Sequence, residues 1–204
     1  MKYDLVIATT LCFKPYGHVK DGEYRRKLWE NMQRSLEKSD MSSMNILHVT
    51  NETDKGWNDN YLELLAFCKD QAPLCLIADS DGYFHPEWLN WLKCALDEFP
   101  NASGWQLYRS PRMADYDVFG YRYRRSHASP HGLCFRTANY VPASQGEWFE
   151  TFIGKLRGEG FIVPGTSMLQ HCGAYGLNNI PGGSEDYDPN FPLNHECGLN
   201  QVFA

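Results

Sequence analysis

Hydrophobic and polar positions follow two alternating patterns in the first half of the chain. Continuous apolar runs predict buried strands at 4–11, 44–50 and 74–78. Apolar residues recur at helical spacing between and after these runs, which predicts helices at about 23–39, 58–70 and 86–99. Strands that alternate with helices through short connections predict an α/β fold, in which a mainly parallel central sheet carries helices on both faces.

The second half of the chain has weaker periodicity. Short apolar runs predict further strands at 102–108, 132–136 and 161–163. Alternation between 116 and 127 indicates an edge strand or a hairpin, and 146–159 carries apolar residues at helical spacing, which predicts a helix. From 175 onward the chain is rich in Gly, Pro and Asn, so an irregular tail or lid is expected.

Composition narrows the class of protein. The 204 residues are 43% hydrophobic and 22% charged, which is typical of an ordinary globular protein, and this length fits a single domain. The formal net charge of -6 argues against a broad nucleic-acid-binding surface. The chain shows no Cys-x-x-Cys spacing, signal peptide or apolar run of transmembrane length, so a cytoplasmic protein is expected.

The predicted strand at 74–78 runs directly into two carboxylates, Asp79 and Asp81. Because alternate side chains of a strand share a face, both should point the same way. Neighbouring carboxylates repel each other unless a cation lies between them, and hard divalent cations such as Mg²⁺ or Mn²⁺ prefer oxygen ligands. Open α/β sheets bind ligands at the carboxyl ends of their strands. This segment therefore predicts a site for a metal ion and a phosphate group.

The Asp-x-Asp pattern alone is weak evidence, because it occurs twice more, at Asp115/Asp117 and Asp186/Asp188. Both of these pairs lie in stretches rich in Tyr, Pro and Gly, without an apolar strand before them. We interpret them as solvated loops. Of the three pairs, only Asp79/Asp81 follows a predicted buried strand, so only this pair is predicted to form a binding site.

Further motifs follow in a defined order. The three strands end in Thr9-Thr10, Asn51-Glu52 and Asp79-Ser80-Asp81. Later come Gln145-Gly-Glu147-Trp-Phe-Glu150, Gly160-Phe-Ile-Val and Gln170-His171-Cys172-Gly173. This order resembles the nucleotide-sugar half of a GT-A glycosyltransferase of the family 2 type. The resemblance covers residues 3 to 175 approximately and rests on motif order more than on identity.

The resemblance implies roles for several of these residues. Asp81 is expected to bind a divalent cation, with Asp79 contacting the ribose or a metal-bound water and His171 completing the protein ligands. The base-and-ribose pocket is expected to contain Thr9, Thr10, Asn51 and Glu52. The single domain would then comprise a nucleotide-sugar-binding half (1–100), an acceptor and catalytic half (101–175) and the tail (176–204).

The catalytic base is the point at which the chain departs from the family pattern. The acceptor hydroxyl loses its proton as it attacks, which calls for a carboxylate, and the family places one at the start of the 146–159 helix. The usual adjacent acidic pair is missing here, because Glu147 and Glu150 stand three residues apart. We favour Glu147 over Glu150, since Glu147 is nearer the start of the predicted helix.

One basic and aromatic cluster lies at 121–125, where Arg122, Arg124 and Arg125 are interleaved with tyrosines. A solvated strand face explains this pattern without any function. Its functional interpretations are a clamp on the donor phosphates or a contact for an anionic acceptor, because guanidinium groups pair bidentately with phosphate.

The leading hypothesis is a metal-dependent, inverting glycosyltransferase that uses a nucleotide diphosphate sugar, with a UDP-sugar as the expected donor and Mn²⁺ or Mg²⁺ as the cation. The acceptor is a hydroxyl group of unknown class, and a modified DNA base is a minor alternative.

A nucleotidyltransferase is a second hypothesis, although the Gly-rich loop expected after the first strand is missing. A third is a zinc-stabilised binding module, with candidate ligands at His131/Cys134, His171/Cys172 and His195/Cys197.

Overall fold

The computed structural model describes residues 2–11, 22–52, 57–109, 115–118, 121–124, 128–144, 146–172 and 190–196. Its α-helices are α1 (Gly22–Glu37), α2 (Trp57–Cys68) and α3 (Trp88–Glu98). Its strands are β1 (Leu5–Leu11), β2 (Ile46–Glu52), β3 (Leu74–Ile77), β4 (Gly82–Phe84), β5 (Gly104–Gln106), β6 (Tyr116–Val118), β7 (Tyr121–Arg124), β8 (Leu133–Arg136), β9 (Phe161–Val163) and β10 (Leu169–His171). In these ranges no helix has both the length and the apolar character needed to cross a membrane.

The main sheet has eight strands in the order β2-β1-β3-β8-β5-β9-β7-β6. Six of them run in the same direction, and only β8 and β7 are reversed. The predicted mainly parallel sheet is therefore confirmed. The carboxyl ends of β1, β2 and β3 meet at one edge of the sheet. A second, two-stranded sheet pairs β4 with β10 just beyond that edge.

Both faces of the main sheet are buried, which explains the continuous apolar runs of its central strands. In β1, Leu5 and Ile7 join one core cluster, whereas Val6 and Ala8 join the other. The first cluster includes apolar side chains of α1 and α3. The second includes side chains of α2 and of the later segment 149–155. Helices thus cover the two faces of the sheet as predicted.

The predicted helix at 146–159 is the main departure from expectation. Only Phe149–Lys155 is helical, and it forms a 3₁₀ helix. Gly146 has a φ of 84° and Trp148 is extended, so the backbone enters the segment in a non-helical conformation. Gly154 further lowers helix propensity near its end. The short 3₁₀ helix still buries Phe149, Phe152 and Ile153, so tertiary packing preserves the apolar face without a full α-helix.

The other two Asp-x-Asp pairs differ from each other. The Asp115 carboxylate is enclosed and pairs with the Arg109 Nε at 3.3 Å, so the prediction of a solvated loop was wrong for that residue. Asp117 is exposed and lies on strand β6. Asp186 and Asp188 lie outside the described residues, as does most of the predicted tail. Its described part, 190–196, packs Phe191 against Tyr83 of β4.

Candidate active site

Asp79 and Asp81 lie in the turn between β3 and β4. Strand β3 ends at Ile77, and the Gly82 N–H donates to the Asp79 carbonyl at 3.0 Å, which closes the turn. The prediction that strand alternation aligns the two carboxylates was therefore wrong, because β3 ends before Asp79, and Asp81 lies within the turn. The two acidic side chains are instead oriented by different partners.

Asp79 is buried and has a partner at each carboxylate oxygen. The Tyr61 hydroxyl donates to Oδ1 at 2.8 Å, and His131 Nδ1 contacts Oδ2. Burial alone would raise the pKa of Asp79, but the charge and hydrogen bond of His131, with smaller contributions from His171 and Tyr61, lower it to about 2. Asp79 is therefore a fixed negative charge at the carboxyl end of β3.

Asp81 pairs with the second histidine. The Asp81 Oδ1 lies 3.3 Å from His171 Nε2. Antiparallel pairing of β10 with β4 places His171 opposite Gly82, and the Cys172 N–H donates to the Asp81 carbonyl at 2.8 Å. The two-stranded sheet thus brings His171, a predicted ligand, to the carboxylate with which it was expected to act.

The two histidine rings face each other, with centroids 4.5 Å apart and planes inclined by 32°. Asp79, Asp81, His131 and His171 therefore form one group, which we call the Asp–His cluster. Sequence reasoning did not connect His131 with Asp79. Strand β8 runs antiparallel to β3, so the residues before β8 lie beside the end of β3. Gly132 has a φ of 66° and lies in the tight turn just before β8. A glycine directly after His131 was the sequence signal that could have indicated a turn at this point.

Tyr61 is the second residue of the site that sequence reasoning missed. It lies on α2 and is fully buried, and burial together with the charge of Asp79 raises the pKa of its hydroxyl. Thr10 hydrogen-bonds to the same hydroxyl. Tyr61 therefore connects the end of β1, where a nucleotide pocket was predicted, with the carboxylate of Asp79.

The four residues predicted to line the base-and-ribose pocket lie along the ends of β1 and β2. The parallel register places Thr10 beside Asn51 and Leu11 beside Glu52. The Thr9 hydroxyl lies 3.0 Å from His48 Nε2 on β2. Thr9 and Thr10 are buried, whereas Glu52 is exposed. The structure thus gathers them at the same edge of the sheet as Asp79.

His48 makes the stability of this edge sensitive to pH. Burial lowers its pKa from 6.5, so below about pH 6.5 the unfolded chain binds a proton that the folded protein does not. The contribution of His48 to stability is therefore complete above that pH and decreases below it. We expect the free energy of unfolding in urea to fall less between pH 7.5 and 5.5, roughly, in His48→Gln than in the wild type. Identical pH dependence in both proteins would contradict this assignment.

Glu147 is exposed, and its carboxylate is held in place by neighbours. Its Oε2 accepts from the Ser144 N–H at 2.7 Å and lies 3.1 Å from Lys155 Nζ. The backbone hydrogen bond of Ser144 and then the Lys155 interaction lower its pKa. Glu147 is thus an oriented, ionised carboxylate near neutral pH. Glu150 is partly buried on the 3₁₀ helix.

A series of contacts connects the backbone of Glu147 with the Asp–His cluster. The Asn58 Nδ2 donates to the Glu147 carbonyl at 3.4 Å, and its Oδ1 accepts from the Phe149 N–H at 2.6 Å. The Phe149 ring stacks on Tyr61, with centroids 4.4 Å apart and planes inclined by 11°. Tyr61 in turn donates to Asp79. The backbone of the predicted base is therefore connected to the predicted donor site through two buried rings.

Arg122 and Arg124 lie on β7, four strand positions from β3 in the main sheet and so roughly 19 Å away by ordinary strand spacing. Their side chains, and all of Arg125, lie outside the described part of the structure. Because β7 pairs antiparallel with β9, Arg122 lies opposite Val163, at the edge where β1, β2 and β3 also end but on the far side of β8, β5 and β9. A role for these arginines in donor binding stays a prediction.

The zinc hypothesis receives no support from the described residues. His131 and His171 each pair with a carboxylate, and burial raises the pKa of the Cys134 thiol, which disfavours the thiolate that zinc binds. Cys197 lies outside the described ranges. Within those ranges, no group of three or more His, Cys, Asp and Glu side chains is arranged to hold a metal ion, and this includes the predicted set of Asp79, Asp81 and His171.

No protein-family model and no curated protein matches the chain. Solved structures of Staphylococcus aureus TarS, a glycosyltransferase of the GT-A, family 2-like type, do match. TarS 1-349 is 13% identical with a TM-score of 0.52, over 81% of this chain and 59% of that chain. The same fragment in complex with UDP-GlcNAc is 12% identical with a TM-score of 0.54, over 81% of this chain and 57% of that chain.

The chain has a GT-A fold. A third match, to the TarS fragment in complex with UDP, has a TM-score of 0.53 at 13% identity. At such low identity the likeness establishes the fold, and the predicted GT-A architecture is confirmed. The chain spans less than two thirds of the TarS chains that it matches.

Proposed function

We propose that this protein is a glycosyltransferase that moves a sugar from a nucleotide diphosphate donor to an acceptor hydroxyl, with inversion at the anomeric carbon. The observation that carries the proposal is the Asp–His cluster at the carboxyl end of β3 in a GT-A fold. Ligands of open α/β sheets bind at this position. TarS, which has the same fold, has been solved in complex with UDP and with UDP-GlcNAc. We therefore propose a UDP-sugar as the donor.

The ends of β1 and β2 supply the proposed nucleotide pocket. Thr10 and Asn51 are neighbours in the sheet, and Thr10 is linked through Tyr61 to Asp79. The fixed negative charge of Asp79 suits a hydrogen bond from a ribose hydroxyl, because a charged acceptor forms a stronger hydrogen bond than a neutral one. Tyr61 and His131 hold that carboxylate in one orientation.

Asp81 and His171 are the residues that would hold a divalent cation. Their oxygen and nitrogen donors lie 3.3 Å apart, and this donor set suits Mn²⁺ or Mg²⁺ when further oxygens complete the coordination. Both oxygens of Asp79 already have partners, so the donor diphosphate would supply the remaining ligands. A cation bound in this way would neutralise charge on the leaving diphosphate.

Glu147 is proposed as the general base, with Glu150 as the alternative. The acceptor oxygen forms a bond to the anomeric carbon while the bond from that carbon to the diphosphate oxygen breaks. The nucleoside diphosphate leaves with the electron pair, and the acceptor proton passes to the carboxylate. Ser144 and Lys155 hold Glu147 ionised and oriented for this step.

A thermal-shift experiment with UDP and Mn²⁺ tests the proposal. UDP at a hundred times its Kd should stabilise the folded protein by about 2.7 kcal/mol, which corresponds to roughly 5–10 °C for a chain of this size. We expect Mn²⁺ to enlarge the shift in the wild type but not in Asp81→Ala. Asp117→Ala is the matched control, because Asp117 is exposed on β6. A full Mn²⁺-dependent shift in Asp81→Ala would refute the cation site, and no shift with UDP would refute the donor.

A further inference from the structure

The two-stranded sheet beside Asp81 and His171 is small. Strands β4 and β10 have three residues each and pair with each other. A sheet of this size is marginally stable by itself, so its geometry depends on what packs against it. The Phe84 N–H of β4 donates to the buried Ser35 hydroxyl of α1 at 2.9 Å, which supports β4. Support for β10 comes in part from a later segment of the chain.

Gln170 connects that later segment with His171. It lies directly before His171 on β10 and is fully buried. Its Oε1 accepts from the His171 N–H at 3.2 Å, and its Nε2 donates to the Asn194 Oδ1 at 2.6 Å. A buried amide group is unfavourable unless its donors and acceptors are hydrogen-bonded. Asn194 therefore helps to fix the side chain that holds the backbone of His171.

The 190–196 segment, which contains Asn194, is itself attached to β4 and to the residue after α1. Phe191 is buried, and its ring meets the Tyr83 ring edge-on, with centroids 6.4 Å apart. The Glu196 carboxylate accepts from the Lys38 ammonium and from the Tyr83 hydroxyl. These two hydrogen bonds lower the pKa of Glu196, so its carboxylate stays ionised at neutral pH. Contacts near both ends therefore hold the segment in place.

We propose that Gln170 and Asn194 are positioning residues that hold His171 at Asp81, so that the 190–196 segment sets the affinity of the site for a divalent cation. This inference rests on the proposed function, in which Asp81 and His171 hold the cation. Their donor atoms lie 3.3 Å apart, so a small displacement of β10 changes their separation. Removing a group that orients a metal ligand typically costs about 10- to 100-fold in metal affinity.

The test is a thermal-shift titration of the full chain with Mn²⁺ at saturating UDP, which gives the Mn²⁺ concentration for half of the metal effect. We expect Asn194→Ala to raise this concentration about tenfold, because Gln170 Nε2 loses the Asn194 oxygen. Asn194→Asp should stay close to the wild type, since it keeps an oxygen acceptor at that position. The shift caused by UDP without Mn²⁺ should be the same in all three proteins, because the nucleotide is proposed to bind at the ends of β1 and β2.

Asn90→Ala is the matched control, because Asn90 is an exposed asparagine on α3 that hydrogen-bonds to Glu87. It should keep the wild-type dependence on Mn²⁺.

The outcomes separate this inference from the function on which it rests. Equal Mn²⁺ dependence in Asn194→Ala and the wild type overturns the inference while the cation site stands. An equal loss in Asn194→Ala and Asn194→Asp also overturns it, because the acceptor oxygen would then be irrelevant. A UDP shift that is lost in Asn194→Ala even without Mn²⁺ assigns the segment to the nucleotide pocket and overturns it as well. A wild type that responds to UDP but not to Mn²⁺ refutes the cation site and this inference together, whereas absence of any UDP shift refutes the proposed donor.

Discussion

Asp79→Asn is expected to lower the rate of UDP release from a UDP-sugar, measured below its KM, by about 10- to 100-fold, because a hydrogen bond from the ribose to a charged acceptor contributes roughly 1.5–3 kcal/mol. The substitution keeps the size of the side chain and an oxygen that can accept from Tyr61, but it removes the negative charge. Because the pKa of Asp79 is held at about 2, the wild type carries that charge throughout the working pH range. The assay is the initial rate of UDP release from UDP-GlcNAc with Mn²⁺, with water as the acceptor.

The melting temperatures of two Asp79 variants distinguish the effect of the charge from the effect of the hydrogen bond to Tyr61. Asp79→Asn should melt below the wild type, because it loses the charge that pairs with His131. Asp79→Ala should lose about 1–3 kcal/mol more, because the Tyr61 hydroxyl also loses its buried acceptor. Asp117→Asn is the control for removal of an exposed aspartate. If Asp79→Asn releases UDP at the wild-type rate, the charge of Asp79 has no part in the reaction and the site must be reassigned.

The sequence was sufficient to predict the helices and strands of the first half of the fold. Strand β1 is buried on both faces, with Ile7 facing one cluster and Ala8 the other, so its apolar run is continuous and easily recognised. Strand–helix alternation then implies parallel neighbours, which brings the ends of β1, β2 and β3 together. The confirmed parts of the fold are those that local periodicity determines.

The partners of Asp79 could not be predicted in the same way. Tyr61 precedes it by 18 residues and His131 follows it by 52, so both contacts depend on how distant elements pack. In particular, His131 reaches Asp79 because antiparallel β8 is inserted between β3 and β5. No local pattern specifies that strand order. The His171 position was predictable only through the order of motifs, because its pairing with Asp81 depends on the β4–β10 ladder.

The 149–155 segment shows why periodicity can predict burial correctly and conformation wrongly. Phe149, Phe152 and Ile153 have a spacing that both α- and 3₁₀-helices can bury on one side. Glycines near both ends weaken the α-helix, and stacking of Phe149 on Tyr61 holds the shorter turn. Consequently Glu147 lies before the helical residues, in a loop fixed by Ser144 and Lys155, instead of in a first α-helical turn.

The second large effect is expected for Glu147, which lies in this loop. Glu147→Gln should lower the rate of UDP release from UDP-GlcNAc by at least about 10²-fold, because the amide cannot accept the proton of the attacking hydroxyl or water. The substitution preserves the shape of the side chain and an oxygen for the Ser144 N–H. Binding of UDP, measured by thermal shift, should be unchanged, since the side chain of Glu147 contacts Ser144, Thr151 and Lys155 among the described residues, and none of these is proposed to hold the nucleotide.

Glu150→Gln provides the matched control, because it removes a carboxylate three residues away on the same segment. We expect it to retain most of the rate. The pKa of Glu147 lies below 4.5, so the wild-type rate should show no acidic limb from this group above about pH 5. Lys155→Met should raise that pKa, because it removes a hydrogen bond and a positive charge that favour the ionised form. A rate lost in Glu150→Gln but kept in Glu147→Gln would assign the base to Glu150.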